Sequence, residues 1–234
     1  MKVVLSIAGS DSSGGAGIQA DIKSAQYHGV FMTTAITAVT AQNTKGVSGV
    51  CVLEPSFVKE QINSVLSDFE VASIKIGMLG SKKLVLEIEK AIKNLDIPII
   101  LDPVSISRAG SKLIDEEAVN SLKDLFKYSY LITPNKYEAK LFFDVSCIED
   151  IKKLQKPQAN ILFKNMIESQ DKTVDVLLTK DGSTTGTVNV VRNLPKKTTV
   201  NSSIAVIRPK NINSIYLYYF IASNYMQDTI NLML

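Results

Sequence analysis

The chain has 234 residues, of which 45% are hydrophobic, and a formal net charge of +3 at pH 7. This length and apolar content suit one large α/β domain with a well-filled core. The small positive charge is spread along the chain, and basic pairs such as Lys196-Lys197 are too short to indicate nucleic-acid binding.

Cysteine, histidine and hydropathy patterns exclude several further classes. Cys51 and Cys147 lie far apart without a C-x-x-C motif, so they predict neither a disulfide framework nor a zinc site. The only histidine, His28, falls near the end of a predicted helix, which argues against a histidine-based catalytic triad. Residues 1–7 are too short and too weakly basic for a signal peptide, and no long apolar run follows. We therefore expect a cytoplasmic protein without a membrane partner.

The chain opens with a strand, a glycine-rich turn and a helix. Residues 2–7 are apolar and β-branched, as in a buried strand, and residues 18–26 form a good helix sequence. The turn between them contains Asp11, Ser12, Ser13, Gly14, Gly15 and Gly17. Its glycines match neither the P-loop nor the dinucleotide fingerprint, so alone they indicate only a tight turn that lets a ligand approach.

Strand and helix patterns alternate along the middle of the chain. Strands are predicted at residues 30–39, 73–77, 97–101 and 130–133, with a turn at 45–46. Helices are predicted at residues 56–68 after Pro55, 82–95 after a Ser81 cap, from about 115 to 125, 136–143 and 148–154. This alternation with short loops predicts a largely parallel sheet with helices on both faces.

The last third of the chain carries weaker patterns. Residues 161–163, 175–178 and 187–191 resemble strands, and residues 215–225 resemble a helix. Because no linker divides the sequence, we expect one domain over residues 1–234, divergent or shortened from about residue 160.

Polar or special side chains follow each predicted strand. In a parallel sheet, ligands bind beyond the carboxyl ends of the strands. The residues that we expect at this common edge are Asp11, Gln42, Met78, Asp102 and Asn135.

Five segments, in this order and spacing, carry a family resemblance. They are residues 8–21, 37–44, 76–80, 101–104 and 131–138. The chain resembles the bacterial hydroxymethylpyrimidine/phosphomethylpyrimidine kinases of thiamine biosynthesis, in the ribokinase superfamily. The resemblance implies a three-layer α/β/α fold, ATP- and Mg²⁺-dependent phosphorylation of 4-amino-5-hydroxymethyl-2-methylpyrimidine and its monophosphate, and a possible homodimer.

The resemblance also implies a pyrimidine pocket. It assigns this pocket to Asp11, Gly14, Gly15, Gln42, Met78 and Val104. The Gln42 carboxamide would bond the aminopyrimidine ring, because it offers both a donor and an acceptor. The Met78 thioether would pack on the ring face. Without the matching neighbours, Gln42 would be a polar loop residue and Met78 a core residue.

The phosphate side is implied by a second set of residues. The resemblance assigns metal binding to Asp102 and Glu138, and phosphate contacts to Asn135 and Lys164. Asn135 and Glu138 are three positions apart at a predicted helix start, so they can face one site. The alternative is that this pair caps the helix that follows Pro134, and Asn135 could serve in both roles.

The sequence departs from the family at two glycine motifs. Lys164 matches the lysine of the family's Lys-Gly-Gly-His motif, but this chain then continues with Asn165-Met-Ile instead of the glycines. The family's Gly-Thr-Gly-Cys, which forms an anion hole and supplies a catalytic cysteine, is absent from residues 196–205. The catalytic residue is therefore unknown, with Ser202 and Lys197 as candidates.

These departures leave several functions open. The chain is a divergent active kinase, a catalytically weak or inactive pyrimidine-binding homologue, or the product of a decayed coding sequence. A pyridoxal kinase-like enzyme is a further alternative, against which the segment Thr40-Ala-Gln-Asn-Thr44 argues.

Overall fold

A computed structural model describes residues 1–105, 116–154, 157–169, 172–178 and 188–190. The strands are β1 (Val3–Asp11), β2 (Phe31–Asn43), β3 (Gly46–Val52), β4 (Val71–Ile76), β5 (Ile99–Leu101), β6 (Leu131–Ile132), β7 (Asn160–Ser169), β8 (Lys172–Leu178) and β9 (Val188–Val190). The α-helices are α1 (Gly17–Tyr27), α2 (Pro55–Asp68), α3 (Lys82–Ile92), α4 (Glu116–Lys123), α5 (Lys136–Phe143) and α6 (Ile148–Lys153). The predicted helix at 215–225 lies outside the described residues.

The strands that the structure describes form one sheet in the order β3-β2-β1-β4-β5-β6-β7-β8-β9. Neighbours from β2 to β7 pair in parallel, whereas β3, β8 and β9 join as antiparallel strands at the two ends. The prediction of a largely parallel sheet is therefore confirmed, and the carboxyl ends of six neighbouring strands meet at one edge.

Alternating side chains of β1 and β4 show that helices cover both faces of the sheet. Leu5 and Ile7 belong to a fully buried core that also contains apolar residues of α2 and α3. Ser6 and Lys75 point to the other face, where both contact Asp21 of α1. Since successive residues of a strand face opposite sides, these contacts give the predicted three-layer α/β/α arrangement.

Local signals account for where several helices begin. Pro55 occupies the first turn of α2, where its missing N–H removes no helical hydrogen bond. Ser81 caps α3 as predicted, since its side chain accepts a hydrogen bond from the Leu84 amide at 3.4 Å. α3 ends at Ile92, before the predicted residue 95.

The main difference from prediction lies in the hairpin of β2 and β3. β2 continues beyond residue 39 to Asn43, and the turn at Lys45-Gly46 leads into β3, which the sequence analysis did not predict. Residues of β3 are half-buried or exposed, so the strand lacks the apolar alternation by which half-buried strands are recognised.

Smaller expectations can also be compared with the structure. His28 is the C-cap of α1, at the helix end as predicted. Cys51 and Cys147 are free thiols. Among the described residues, none of the helices combines the length and apolarity needed to span a membrane.

Candidate active site

The glycine-rich turn after β1 is held together by the Asp11 carboxylate. The Asp11 side chain accepts hydrogen bonds from the backbone amides of Ser13 at 2.8 Å, Gly15 at 3.0 Å and Ala16 at 2.8 Å. Burial raises the pKa of Asp11, but these bonds outweigh it and hold the pKa below its ordinary value. Asp11 thus fixes the loop as an anion, and its predicted place in the pocket wall remains a prediction.

Two glycines of this loop have left-handed backbone conformations. Gly14 has φ +72° and Gly17 has φ +55°. A Cβ atom on Gly17 would lie 2.2 Å from the carbonyl oxygen of Gly9, so only glycine allows α1 to begin directly against β1. We call residues 11–17 the glycine loop.

Gln42 lies beside the glycine loop at the end of β2. The Ser12 hydroxyl donates to the Gln42 carbonyl oxygen and accepts from the Gln42 amide, both at 2.8 Å. The Thr40 hydroxyl lies 3.3 Å from the Gln42 Oε1 atom. These contacts fix the half-buried Gln42 backbone against the loop and leave its carboxamide at the sheet edge.

Met78, which follows β4, packs on the same region. If Gly9 carried a Cβ atom, that atom would lie only 3.2 Å from the Met78 sulfur. The Met78 backbone oxygen accepts a hydrogen bond from the Thr37 hydroxyl at 2.6 Å. Val104 is half-buried two residues beyond Asp102 at the end of β5, and no described contact joins it to the glycine loop. The structure therefore brings Gln42 to the glycine loop by direct contacts and places Met78 against Gly9 of β1, two residues before that loop.

A second cluster forms around Asp102. The Lys164 ammonium of β7 lies 2.8 Å from Asp102 Oδ1, and the Thr133 hydroxyl lies 3.3 Å from the same oxygen. Burial raises the pKa of Asp102, but the positive charges of Lys164 and Lys75 outweigh it and hold the pKa below its usual range. Burial lowers the pKa of Lys164, yet the Asp102 carboxylate raises it above its usual range. The two groups therefore form a charged pair.

Asn165 produces the backbone turn that aims Lys164 at Asp102. The pairing of β7 with β8 is irregular between Phe163 and Ile167, and Asn165 has a left-handed φ of 56°. Its amide donates to Asp175 Oδ1 at 2.9 Å. Asparagine tolerates this conformation better than most residues, so Asn165 can replace the glycine that follows the lysine in the family motif.

Asn135 and Glu138 form a capping box at the start of α5. The Asn135 side chain accepts from the Glu138 amide, and Glu138 Oε2 accepts from the Asn135 amide, both at 2.9 Å. Glu138 Oε1 accepts from the Ser105 amide at 3.3 Å. The capping interpretation is confirmed, and it leaves both Glu138 oxygens bonded to backbone amides.

Glu138 is only 1% exposed, and this burial raises its pKa to about 7. The negative charge of Asp102 raises the pKa further, whereas the Asn135 amide, Lys164 and the Ser105 amide lower it. Glu138 can therefore change its protonation state near neutral pH, next to the Asp102–Lys164 pair.

The carboxylates of Asp102 and Glu138 fit the demands of Mg²⁺ only in part. Mg²⁺ prefers oxygen ligands and commonly takes one or two carboxylates together with waters and phosphate oxygens. Asp102 meets this demand, since its Oδ2 atom has no hydrogen bond to the described residues, whereas both Glu138 oxygens already accept from backbone amides. In the described part of the chain, no three metal-binding side chains cluster, so a purely protein-made cage is not seen there.

Some site residues were not predicted, and some predictions cannot be compared. Ser12 was expected to bond backbone amides or a substrate, and it bonds the Gln42 backbone, whereas Thr133 lay within a matched segment but received no role. Lys75 could have been noticed as a lone lysine in an apolar strand. Ser202 and Lys197 lie outside the described residues.

Comparisons with known proteins agree with this architecture. The sequence model of one family, described as phosphomethylpyrimidine kinase, matches residues 11–200. A hydroxymethylpyrimidine/phosphomethylpyrimidine kinase of Synechococcus elongatus is 46% identical over 142 residues, which are 60% of this chain and 54% of that protein. The chain thus spans just over half of the length of that relative.

Solved structures are similar over longer stretches. A phosphomethylpyrimidine kinase from Clostridium difficile 630 has a TM-score of 0.73 and 32% identity, covering 99% of this chain and 96% of the other. A pyridoxal kinase from Staphylococcus aureus, in complex with AMP-PCP, has a TM-score of 0.67 and 27% identity, covering 77% and 69%. The expected ribokinase-like fold is confirmed by these similarities and by the sheet topology.

Proposed function

The chain belongs to the phosphomethylpyrimidine kinase family, and we propose that it transfers the γ-phosphoryl group of ATP to 4-amino-5-hydroxymethyl-2-methylpyrimidine and to its monophosphate. The acceptor oxygen forms a bond to phosphorus, and the bond from phosphorus to the bridging oxygen of ATP breaks. ADP keeps that electron pair, and the acceptor proton passes to solvent. Both phosphorylations serve thiamine diphosphate synthesis.

The observation that carries this proposal is the assembly of the glycine loop with its neighbours. Ser12 bonds both backbone groups of Gln42, and Met78 packs against Gly9. A carboxamide and a thioether at the edge of a parallel sheet suit a flat, polar heteroaromatic ring. On this proposal, the Gln42 side chain bonds the pyrimidine and Met78 covers its face, with Val104 as an added wall.

The Asp102–Lys164–Glu138 cluster supplies the charges that phosphoryl transfer requires. This reaction depends mainly on positioning and on stabilisation of charge at the phosphoryl oxygens. We propose that Asp102 and Glu138 would hold Mg²⁺ beside ATP, and the ion would supply positive charge to the phosphate oxygens. Lys164 and Asn135 lie beside them and would orient the phosphates with an ammonium and an amide.

A weak or inactive pyrimidine-binding protein is the second candidate function. It is favoured by the absence of Gly-Thr-Gly-Cys from residues 196–205. Loss of one anion-hole donor lowers the rate of an enzyme by roughly 10²–10³. Ser202 or Lys197 would have to compensate in an active enzyme. The similarity to the Staphylococcus aureus pyridoxal kinase supports pyridoxal as a further substrate to test.

These candidates separate in one set of assays on the purified chain. ADP release is followed with the pyrimidine alcohol, its monophosphate and pyridoxal as acceptors, and pyrimidine binding is titrated by calorimetry. Turnover with the pyrimidines supports the kinase, binding without turnover supports the binding protein, and turnover with pyridoxal alone supports the alternative enzyme.

We also propose a cytoplasmic homodimer, by analogy with the family. The edge strand β3 supports self-association, because it exposes the apolar side chains of Val50 and Val52 and has a free edge in the described sheet. Light scattering after size-exclusion chromatography tests this state, since a monomeric mass would contradict it.

A further inference from the structure

A buried ion pair between Lys75 and Asp21 lies close to the glycine loop, and apart from the effect of Lys75 on the Asp102 pKa it has no role in the proposed reaction so far. The Lys75 ammonium of β4 lies 2.8 Å from Asp21 Oδ2 of α1, and the two side chains are only 9% and 14% exposed. The Ser6 hydroxyl of β1 donates to the same Asp21 oxygen at 2.6 Å. These three residues therefore join α1 to two neighbouring strands.

Stability alone does not explain this pair. Removal of two charges from water opposes folding, and apolar residues of similar volume are often as stable or more stable in the same place. A buried pair does, however, fix the relative position of the two elements that carry it, because either charge is unfavourable without its partner. The geometry around Lys75 indicates which elements are fixed.

The Lys75–Asp21 pair lies next to the residues that shape the glycine loop. A Cβ atom on Gly77 would be 3.0 Å from the Lys75 nitrogen, so the ammonium lies directly under the backbone where β4 ends. Asp21 is one helical turn beyond Gly17, the residue that contacts the Gly9 carbonyl. Any shift of Asp21 would therefore move the start of α1.

A second anchor holds the same helix from the side of β1. The Gln19 side chain accepts from the Asp11 amide at 2.8 Å and donates to the Ser10 hydroxyl at 2.7 Å. Gln19 is neutral and attaches α1 only to β1. Lys75 thus provides the charged attachment of α1 to β4, the strand after which Met78 follows.

We propose that Lys75 is a positioning residue, whose ion pair with Asp21 holds α1 and the glycine loop in register with Met78 for pyrimidine binding. This inference rests on the proposed function. It assigns Lys75 no contact with the substrate. It predicts that the loss of the pair weakens pyrimidine binding even in a protein that remains fully folded.

A double-mutant cycle separates positioning from stability. Lys75→Met and Asp21→Asn each leave one buried group unpaired and should lower the free energy of unfolding, whereas the double variant should recover most of it. We expect the dissociation constant for the pyrimidine to rise about tenfold in Lys75→Met and to remain raised in the double variant, because small displacements weaken oriented binding. Full recovery of affinity in the stable double variant would overturn the inference.

A control variant and two further outcomes complete the test. Lys82→Met, which breaks the exposed Lys82–Glu117 pair, serves as the control and should change neither quantity. If Lys75→Met does not fold, the double variant, which also lacks the ion pair, tests the same prediction, and unchanged affinity in it contradicts the inference. If the unmodified chain binds no pyrimidine, the proposed function fails together with the inference. If it binds and all variants bind equally, the inference alone fails.

Discussion

The Lys164 ammonium lies 2.8 Å from Asp102 Oδ1, although 62 positions separate the two residues in the chain. This ion pair joins the end of β5 to β7 across the edge where the phosphates of ATP are proposed to bind. Both side chains are 15% exposed, so water weakens the pair only partly.

Lys164→Met should therefore lower the free energy of unfolding by about 1–3 kcal/mol, less than the roughly 3–5 kcal/mol of a fully buried pair. The substitution leaves Asp102 without its ion-pair partner while keeping an apolar side chain of similar length. Urea denaturation measures the loss of unfolding free energy. Lys140→Met is the matched control, because the Lys140–Asp144 pair is exposed and should contribute at most about 0.5 kcal/mol. Equal losses in both variants would contradict the assignment.

The raised pKa of Glu138 predicts a pH-dependent stability. The folded pKa is about 7, above the ordinary value of 4.5, so the folded state binds the proton more tightly than the unfolded state. The stability from this group is fully present below about pH 4.5 and is lost as the pH rises through 7. The whole effect is roughly 3.5 kcal/mol at most, at about 1.4 kcal/mol per pKa unit.

Glu138→Gln removes this titration. The unfolding free energy of the unmodified protein minus that of the variant should therefore decrease from pH 5 to pH 8. The measurement is denaturant unfolding in metal-free buffer at several pH values. A difference that stays constant with pH would show that the Glu138 pKa is not raised.

Gln42→Ala should weaken pyrimidine binding by about 1–3 kcal/mol, since polar groups of the ligand would lose their partner. Calorimetric titration provides the measurement. Asn43→Ala changes the exposed neighbour on the opposite side of β2 and is the matched control. If both variants bind as tightly as the unmodified chain, the pocket lies elsewhere.

Local patterns predicted most elements of this fold. The helix at residues 136–143 was predicted with the bounds that α5 has, because Pro134 and the Asn135 cap mark its start. β3 was missed because its residues are half-buried or exposed, so burial did not impose an apolar alternation on the sequence. The fold needs this strand only as an edge, which explains the weak signal.

The site was predictable in position but not in its contacts. Because ligands bind beyond the carboxyl ends of parallel strands, the sequence predicted Asp102 and Asn135 at one edge. No local pattern, however, pairs Asp102 with Lys164 or Lys75 with Asp21. Asp11 was predicted in the pocket wall, which stays a prediction, but its bonds to the loop amides through both oxygens were not predicted from any local pattern. Such contacts depend on tertiary packing, which single-sequence patterns do not contain.

Gly17 and Gly29 form a matched pair for testing the close approach of α1 to β1. Both have positive φ, but a Cβ atom on Gly17 would meet the Gly9 oxygen at 2.2 Å, whereas one on Gly29 would meet no atom within 4 Å. Gly29→Ala should lower the unfolding free energy by about 1–2 kcal/mol, from backbone strain alone. Gly17→Ala should lower it by more and also weaken pyrimidine binding. Similar effects of the two changes on both properties would contradict the close approach.

The central claim is that this chain phosphorylates the pyrimidine precursor of thiamine. The most direct measurement is mass-spectrometric detection of the product after incubation with ATP, Mg²⁺ and 4-amino-5-hydroxymethyl-2-methylpyrimidine, with Asp102→Asn as the matched variant. The account predicts the monophosphate and then the diphosphate of the pyrimidine, with a much lower yield from the variant. Absence of both products from the folded, unmodified chain would contradict the kinase assignment.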